Sequence, residues 1–230
     1  MDAELYACHD RNRDTVHGSE CVPLLKPMKR FHSDETEAMA DVLRKDGTLA
    51  VPTDTVYGVC AGMSEAAMKK LYEVKHRPAS KRFPIMCSDE AMLETIAEME
   101  EETRRVIHAL MPGPLTIVLR KKDTVPAYAS GDLETIAVRL ATSEPLRKLI
   151  EALGTPIFLT SANRSGEKEC ETLDEIEQAC PLLDGMMEGS VSFGQASTIL
   201  DCSTADWRIL REGPISREQI EHVRKGTRND

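Results

Sequence analysis

From Ser33 onward the chain alternates between β-branched, apolar runs of three to six residues and stretches in which apolar residues recur with helical period. Runs that short suit strands and are too short for buried helices. Thr48–Val51, Phe83–Cys87, Leu115–Leu119, Thr135–Leu140, Ile157–Leu159, Ser197–Leu200 and Trp207–Leu210 therefore predict strands. Helices lie between them. Ser33 is placed to cap a segment carrying Met39, Val42 and Leu43, and Ser64 opens a second whose Met68, Leu71 and Tyr72 share a face. Acid-rich helices over residues 89–110 stop before Pro112-Gly113-Pro114. Between Ser143 and Gly154, Leu146, Leu149, Ile150 and Leu153 fall at i, i+3, i+4 and i+7. Thr172 with Glu175, and Ser216 with Gln219, have the spacing of capping boxes. This alternation predicts an α/β fold: one domain built on a mixed sheet flanked by helices. Residues 1–30 show no sustained period and read as an extension, 31–216 as the domain and 217–230 as a C-terminal helix and tail.

Charge narrows the choice of partner. Twenty-nine Lys and Arg against thirty-nine Asp and Glu leave a net charge of −10 over 230 residues, which argues against a long duplex-DNA footprint. Aromatic residues make up 4% of the chain, too few for an extended base-stacking platform. At 41% hydrophobic and 30% charged, the composition is that of a packed globule rather than a disordered polymer. No stretch approaches the roughly 20 apolar residues that cross a bilayer, and the opening MDAELYACHDRNRD contains no apolar segment to act as a signal peptide. Seven irregularly spaced cysteines read as reduced thiols. A cytoplasmic location without a membrane partner is the expectation. Cys8, His9, His17 and Cys21 match no zinc-ligand spacing, so no metal site is assigned. Between Lys69 and Arg82, however, six basic residues stand against one acid, a balance of +5. An acidic chain with one concentrated basic segment suits a compact anion better than a long polyanion.

Four segments place polar groups among or just after apolar strands. Pro52-Thr53-Asp54-Thr55-Val56-Tyr57-Gly58 follows a strand with two hydroxyls and a carboxylate, and glycines at 58 and 62 suit a loop that contacts a ligand. The plainer reading of the same residues is a hydroxyl-stabilised turn. Lys75-His76-Arg77-Pro78 leaves the end of a helix, and the proline holds Arg77 extended. Lys75 and Arg77, two residues apart, are then expected to point the same way and converge on a phosphate or carboxylate. The alternative is solvated cations at a helix C-terminus. Thr160-Ser161-Ala162-Asn163-Arg164-Ser165-Gly166 ends a buried strand in hydroxyls, an amide and a glycine, the make-up of a phosphate-binding turn. Arg139 lies inside an apolar strand, where burial without a partner is expensive. It takes either an anionic ligand or one of the chain's many acids. No G-x-x-x-x-G-K-[ST], no G-x-G-x-x-G opening a helix and no G-x-S-x-G is present.

Taken together, PTDTVYGV at 52–59, KHRPASK at 75–81, MPGPLTIVL at 111–119, TIAVRL at 135–140, TSANRSG at 160–166, and STILD with ILREG at 197–213 resemble the YrdC-type threonylcarbamoyl-AMP synthase family over residues 33–215. The resemblance implies a twisted mixed sheet flanked by helices around a deep, positively charged cavity, in the short form without the second domain of longer synthases. It implies a nucleotidyltransferase that makes L-threonylcarbamoyladenylate and pyrophosphate from L-threonine, bicarbonate and ATP, with Mg²⁺ accompanying the ATP. The product would pass to a tRNA-modifying threonylcarbamoyl transferase complex. Carried over by position, Lys75, Arg77, Ser161 and Asn163 form the catalytic group. Thr55 and Arg139 contact threonine, with Arg139 on its carboxylate, and Arg77, Lys81, Thr135, Ser161 and Arg211 contact the nucleotide. The sequence departs from the family pattern at Met86-Cys87 and at Leu159, and Glu169-Cys170-Glu171-Thr172 replaces a more usual Ser-Pro-Thr. Two other functions compete: a carbamoyl-adenylate enzyme with a different acceptor, and a non-catalytic protein of ribosome or tRNA maturation that binds RNA weakly.

Overall fold

A computed structural model describes residues 28–191 and 195–226. Cys8, His9, His17 and Cys21, and nearly all of the 1–30 extension, lie outside the described residues. The short apolar runs assemble as strands β1 (Lys29–Phe31), β2 (Thr48–Val51), β3 (Gly58–Gly62), β4 (Ile85–Cys87), β5 (Leu115–Arg120), β6 (Thr135–Leu140), β7 (Ile157–Ser161), β8 (Gly185–Met187), β9 (Thr198–Asp201) and β10 (Arg208–Arg211). The helices are α1 (Thr36–Arg44), α2 (Glu65–Lys75), α3 (Glu90–Glu94), α4 (Glu101–Leu110), α5 (Ala127–Ser130), α6 (Glu144–Leu153), α7 (Leu173–Ala179) and α8 (Arg217–Lys225).

All ten strands join one sheet in the order β1-β8-β2-β3-β7-β4-β6-β5-β9-β10. Parallel pairs (β1/β8, β2/β8, β4/β6, β5/β9) mix with antiparallel ones (β2/β3, β3/β7, β4/β7, β5/β6, β9/β10). Because side chains alternate across a strand, the sheet feeds two apolar layers. Leu49, Val51, Cys60, Ile157 and Leu159 point to the layer completed by Met39 and Leu43 of α1 and Leu146, Leu149 and Ile150 of α6. Ala50, Val59, Ala61, Ile85, Ile117, Val138 and Phe158 point the other way, toward Leu71 of α2, Val106 and Ile107 of α4 and Ile220 of α8. The helices α1 and α6 cover the β2–β7 half of their face. On the remaining half, β6, β5 and β9 turn Thr135, Ala137, Arg139, Thr116, Val118 and Ile199 into an open cavity.

β8 and α5 have no counterpart in the sequence reading, and three further differences each have a local reason. Gly58–Gly62, read as a glycine-punctuated loop, is the fully buried strand β3. A Cβ on Gly58 would meet the Leu159 side chain and the Thr160 carbonyl at 3.2 Å, so the glycine lets β3 close between its neighbours. The first strand begins at Lys29, inside the segment taken as extension, because pairing with β8 orders it. Helix α1 starts after Glu35 rather than Ser33; Glu35 caps with no side-chain bond to the helix, and its carboxylate instead accepts from the His32 amide at 2.8 Å. Ser216 and Gln219 form the full capping box, whereas Thr172 caps Glu175 but the Glu175 carboxylate accepts from Glu171. No helix among the described residues is long and apolar enough to cross a membrane.

Phe158 is fully buried at the centre of the sheet, 6.3 Å ring to ring from Phe83. Phe158→Ala is expected to lower unfolding stability by about 3–5 kcal/mol in urea titration. Leu182→Ala, at a side chain 51% exposed, is expected to change it by less than about 0.5 kcal/mol.

Candidate functional site

The cavity encloses about 420 Å³, within the range of pockets for small organic ligands. Its walls come from strands β5 and β6, parts of β4, β7, β9 and β10, the β2–β3 loop, the end of α5 and the chain leaving α2. Four arginines, Arg77, Arg82, Arg139 and Arg211, and one carboxylate, Glu169, line it together with hydroxyls that include Thr55, Thr135 and Ser161.

Arg139 is the most buried of the four, with 7% of its side chain exposed. Its Nη2 donates to Asp54 Oδ1 at 2.5 Å and to the Gly113 carbonyl at 3.1 Å, while Nη1 donates to Thr55 Oγ at 3.2 Å. Burial lowers its pKa and Asp54 opposes that shift, so the carboxylate is what keeps a cation inside the fold. Thr53 Oγ donates to the Val56 carbonyl at 2.6 Å and lies 3.0 Å from Thr55 Oγ. The hydroxyl-stabilised turn and the ligand-contacting loop are thus one object. Thr53 fixes the turn, and the turn presents Thr55 and Asp54 to Arg139.

Lys75 and Arg77 do not converge as an extended stretch would make them. Lys75 is the last residue of α2, and His76 caps the helix in the left-handed region (φ 44°), which separates the two side chains. The Lys75 ammonium, in a residue 1% exposed, turns inward and donates to the Ser161 carbonyl, the Asn163 carbonyl and Asn163 Oδ1. Those three acceptors use all its protons. Burial lowers its pKa to about 8, which leaves the ammonium dominant at neutral pH. Asn163 Oδ1 also accepts from Ser161 Oγ at 2.8 Å, and its Nδ2 donates to the Glu167 carbonyl at 2.5 Å. Lys75 and Asn163 therefore form a hydrogen-bonded base beneath the turn after β7, from which Ser161 reaches the cavity.

Arg77 donates from Nε and Nη2 to the Lys81 and Arg82 carbonyls at 3.0 and 2.7 Å and lies 4.9 Å from the Phe83 ring centre. Arg211 owes its position to a bulge. Leu210 is the extra residue between the pairs Ile209↔Leu200 and Arg211↔Ile199, and such an insertion re-aims the side chains around it. Arg211 then donates from Nε to the Ser197 carbonyl at 2.9 Å and from Nη2 to Ser197 Oγ at 3.2 Å. A Cβ on Gly213 would come within 2.3 Å of the Thr198 amide, so this approach of β10's exit to β9 requires glycine. Burial lowers the Arg211 pKa, with Glu169 opposing.

Of the residues singled out from sequence, Thr55, Arg77, Thr135, Arg139, Ser161 and Arg211 meet on the cavity wall; Lys75, Asn163 and Lys81 are not part of it. Lys81 is exposed. Asp54 was noted only as the carboxylate of the 52–58 loop and Arg82 only as the end of the basic 69–82 segment, and neither they nor Ser197 were assigned a role in the site. The cost of an arginine inside a strand signals that Arg139 needs a partner, and an acid between two threonines is the kind of residue to supply it; Arg82 and Ser197 carry no such local signal.

The family model described as telomere recombination, Sua5/YciO/YrdC, matches residues 41–213. A threonylcarbamoyl-AMP synthase of Pyrococcus abyssi is 33% identical over 208 residues, covering 87% of this chain and 60% of that protein. One of Vibrio parahaemolyticus is 33% identical over 186 residues, covering 78% of this chain and 100% of that protein. The chain thus spans about three-fifths of the archaeal relative and the full length of the Vibrio one. A crystal structure of P. abyssi Sua5 complexed with L-threonine superposes with a TM-score of 0.80 at 32% identity, covering 86% of this chain and 61% of that one.

Removing one member of a buried ion pair leaves the other uncompensated. Asp54→Asn is expected to lower stability by about 3–5 kcal/mol in urea titration. Glu144→Gln, which breaks the exposed pair with Lys148, is expected to leave the midpoint unchanged within error.

Proposed function

We propose that this chain, which belongs to the Sua5/YciO/YrdC family, is a threonylcarbamoyl-AMP synthase that joins L-threonine, bicarbonate and ATP into L-threonylcarbamoyladenylate and releases pyrophosphate. The observation that carries the reading is a single cavity with a buried arginine, Arg139, beside the hydroxyl of Thr55, and further arginines along its walls. One region suits an amino acid's carboxylate and hydroxyl, the rest a polyanion.

The reaction takes place in two stages. The threonine amine attacks bicarbonate and loses a proton, giving N-carboxythreonine and water. An oxygen of the new carboxylate then attacks the α-phosphorus of ATP; the bond from that phosphorus to the bridging oxygen breaks, and its electron pair leaves with pyrophosphate. Both stages join reactants that carry negative charge, so holding them together within a cationic wall is most of the catalytic task. Arg139 holds the threonine carboxylate, Thr55 orients the amino acid, and Arg77, Thr135, Ser161 and Arg211 line the nucleotide's path. Lys75 and Asn163 act through Ser161, as positioning residues. No nucleophilic side chain is required, which agrees with the absence of a serine-hydrolase motif.

Among the described residues no cluster of three or more His, Cys, Asp or Glu could hold a metal ion on protein ligands alone. The donor set fits Mg²⁺ that enters with the nucleotide, with Glu169 as the carboxylate available on the wall. Bound there, the ion would neutralise phosphate charge. The adenylate would then serve a tRNA-modifying threonylcarbamoyl transferase.

Pyrophosphate release from ATP is expected to require both L-threonine and bicarbonate; release that needs neither would contradict the reading. Arg139→Lys keeps a charge but loses the fork, and is expected to raise the KM for L-threonine by about tenfold or more with a smaller change in the KM for ATP. Equal changes in both would remove Arg139 from the amino-acid subsite.

A further inference from the structure

Of the four guanidinium groups that reach the cavity, three are already engaged. Arg139 donates to Asp54, Thr55 and Gly113, Arg211 donates to Ser197, and Arg77 donates to two carbonyls beside an aromatic ring. Arg82 is different. It is half-buried and lines the cavity, yet among the described residues its side chain makes no hydrogen bond and no ion pair. Packing holds it instead. Its guanidinium lies against Gly131 so closely that a Cβ there would come within 2.2 Å of Nη2 and 2.5 Å of Cζ. Gly131 also has φ +64°, so the turn that ends α5 and the room for the guanidinium both depend on the same glycine.

A guanidinium carries five N–H donors in a fixed fork. The Arg82 nitrogens are not among the buried, unpartnered atoms, so they stay open to an incoming anion, which would take charge-assisted hydrogen bonds from them. Glu169, the carboxylate that also lines the cavity, makes no ion pair with Arg82 among the described residues. A single carboxylate is already provided for at Arg139. Arg82 shares its segment with Arg77, whose Nη1 is not used by the Lys81 and Arg82 carbonyls; the Arg82 fork and that remaining nitrogen, with Thr135 also lining the cavity, suit an anion with several charged oxygens.

We infer that Arg82 is a binding residue for the nucleotide's phosphate chain, taking the oxygens that leave as pyrophosphate. The inference rests on the synthase reading and adds a residue to its polyanion subsite. Since the charge on the leaving group grows as the α-phosphorus bond breaks, a fork at that end assists departure as well as binding.

The test is calorimetric titration of inorganic pyrophosphate, ATP, AMP and L-threonine into the full chain, as wild type, Arg82→Gln and Arg82→Lys, with melting curves to confirm folding. Arg82→Gln is expected to weaken pyrophosphate and ATP by about tenfold, the size of a lost charge-assisted contact, while AMP and L-threonine change less than about twofold. Arg82→Lys should recover part of the loss. Unchanged pyrophosphate and ATP affinity in Arg82→Gln would overturn the inference and leave the synthase reading intact, provided wild type still turns over all three substrates. Loss confined to L-threonine would also overturn it, by making Arg82 a carboxylate site. A wild type that binds neither ATP nor pyrophosphate would overturn both.

Discussion

The Arg139–Asp54 ion pair is the interaction around which the site is built. A guanidinium inside an apolar strand is tolerated only with compensation. That compensation comes from the β2–β3 loop, through Asp54 and Thr55, and from the Gly113 carbonyl in the turn between α4 and β5. One side chain thereby sets the relation of β6 to two loops distant in sequence. The Thr53 hydroxyl, bonded to the Val56 carbonyl, makes the first of these loops rigid enough to do this. Asp54 Oδ2 and Arg139 Nε remain buried without partners, so the pair is not fully satisfied, and Arg139 also lines the cavity.

A second polar unit does the same for the opposite wall. The Lys75 ammonium holds the carbonyls of Ser161 and Asn163 and the Asn163 side chain, tying the end of α2 to the end of β7. The sheet then provides the space. Its helical cover on one face stops with α1 and α6, so the outward residues of β6, β5 and β9 line a cavity where a longer helical layer would have closed a core. Under the proposed synthase reading, catalysis comes from alignment and from electrostatic support of phosphoryl oxygens, and its precision depends on these buried polar units.

Much of this was legible in the sequence where periodicity and cost agree. The β5, β6 and β7 runs and the α6 stripe read correctly because apolar residues recur at the right interval. The need of Arg139 for a partner followed from desolvation alone. What was hidden is geometry set by single residues. His76 in the left-handed region turns Lys75 inward, away from Arg77, and nothing in the local sequence announces it. Gly58 and Gly62 look like turn residues yet sit in a buried strand, where a Cβ would press on Leu159 and the Thr160 carbonyl of β7 and on the Leu43 carbonyl of α1 respectively. The contact between Arg82 and Gly131 joins segments far apart in the chain, beyond the reach of spacing rules, and the Leu210 bulge is a matter of register between neighbouring strands that residue spacing does not announce.

The central claim is that the cavity joins three substrates through a carbamate, and isotope incorporation tests it most directly. With ATP, L-threonine and ¹³C-bicarbonate, mass spectrometry should find an adenylate that contains threonine and one ¹³C atom, formed together with pyrophosphate. A threonine adenylate without the label would mean that the amino acid's own carboxylate attacks the α-phosphorus, and would contradict the account.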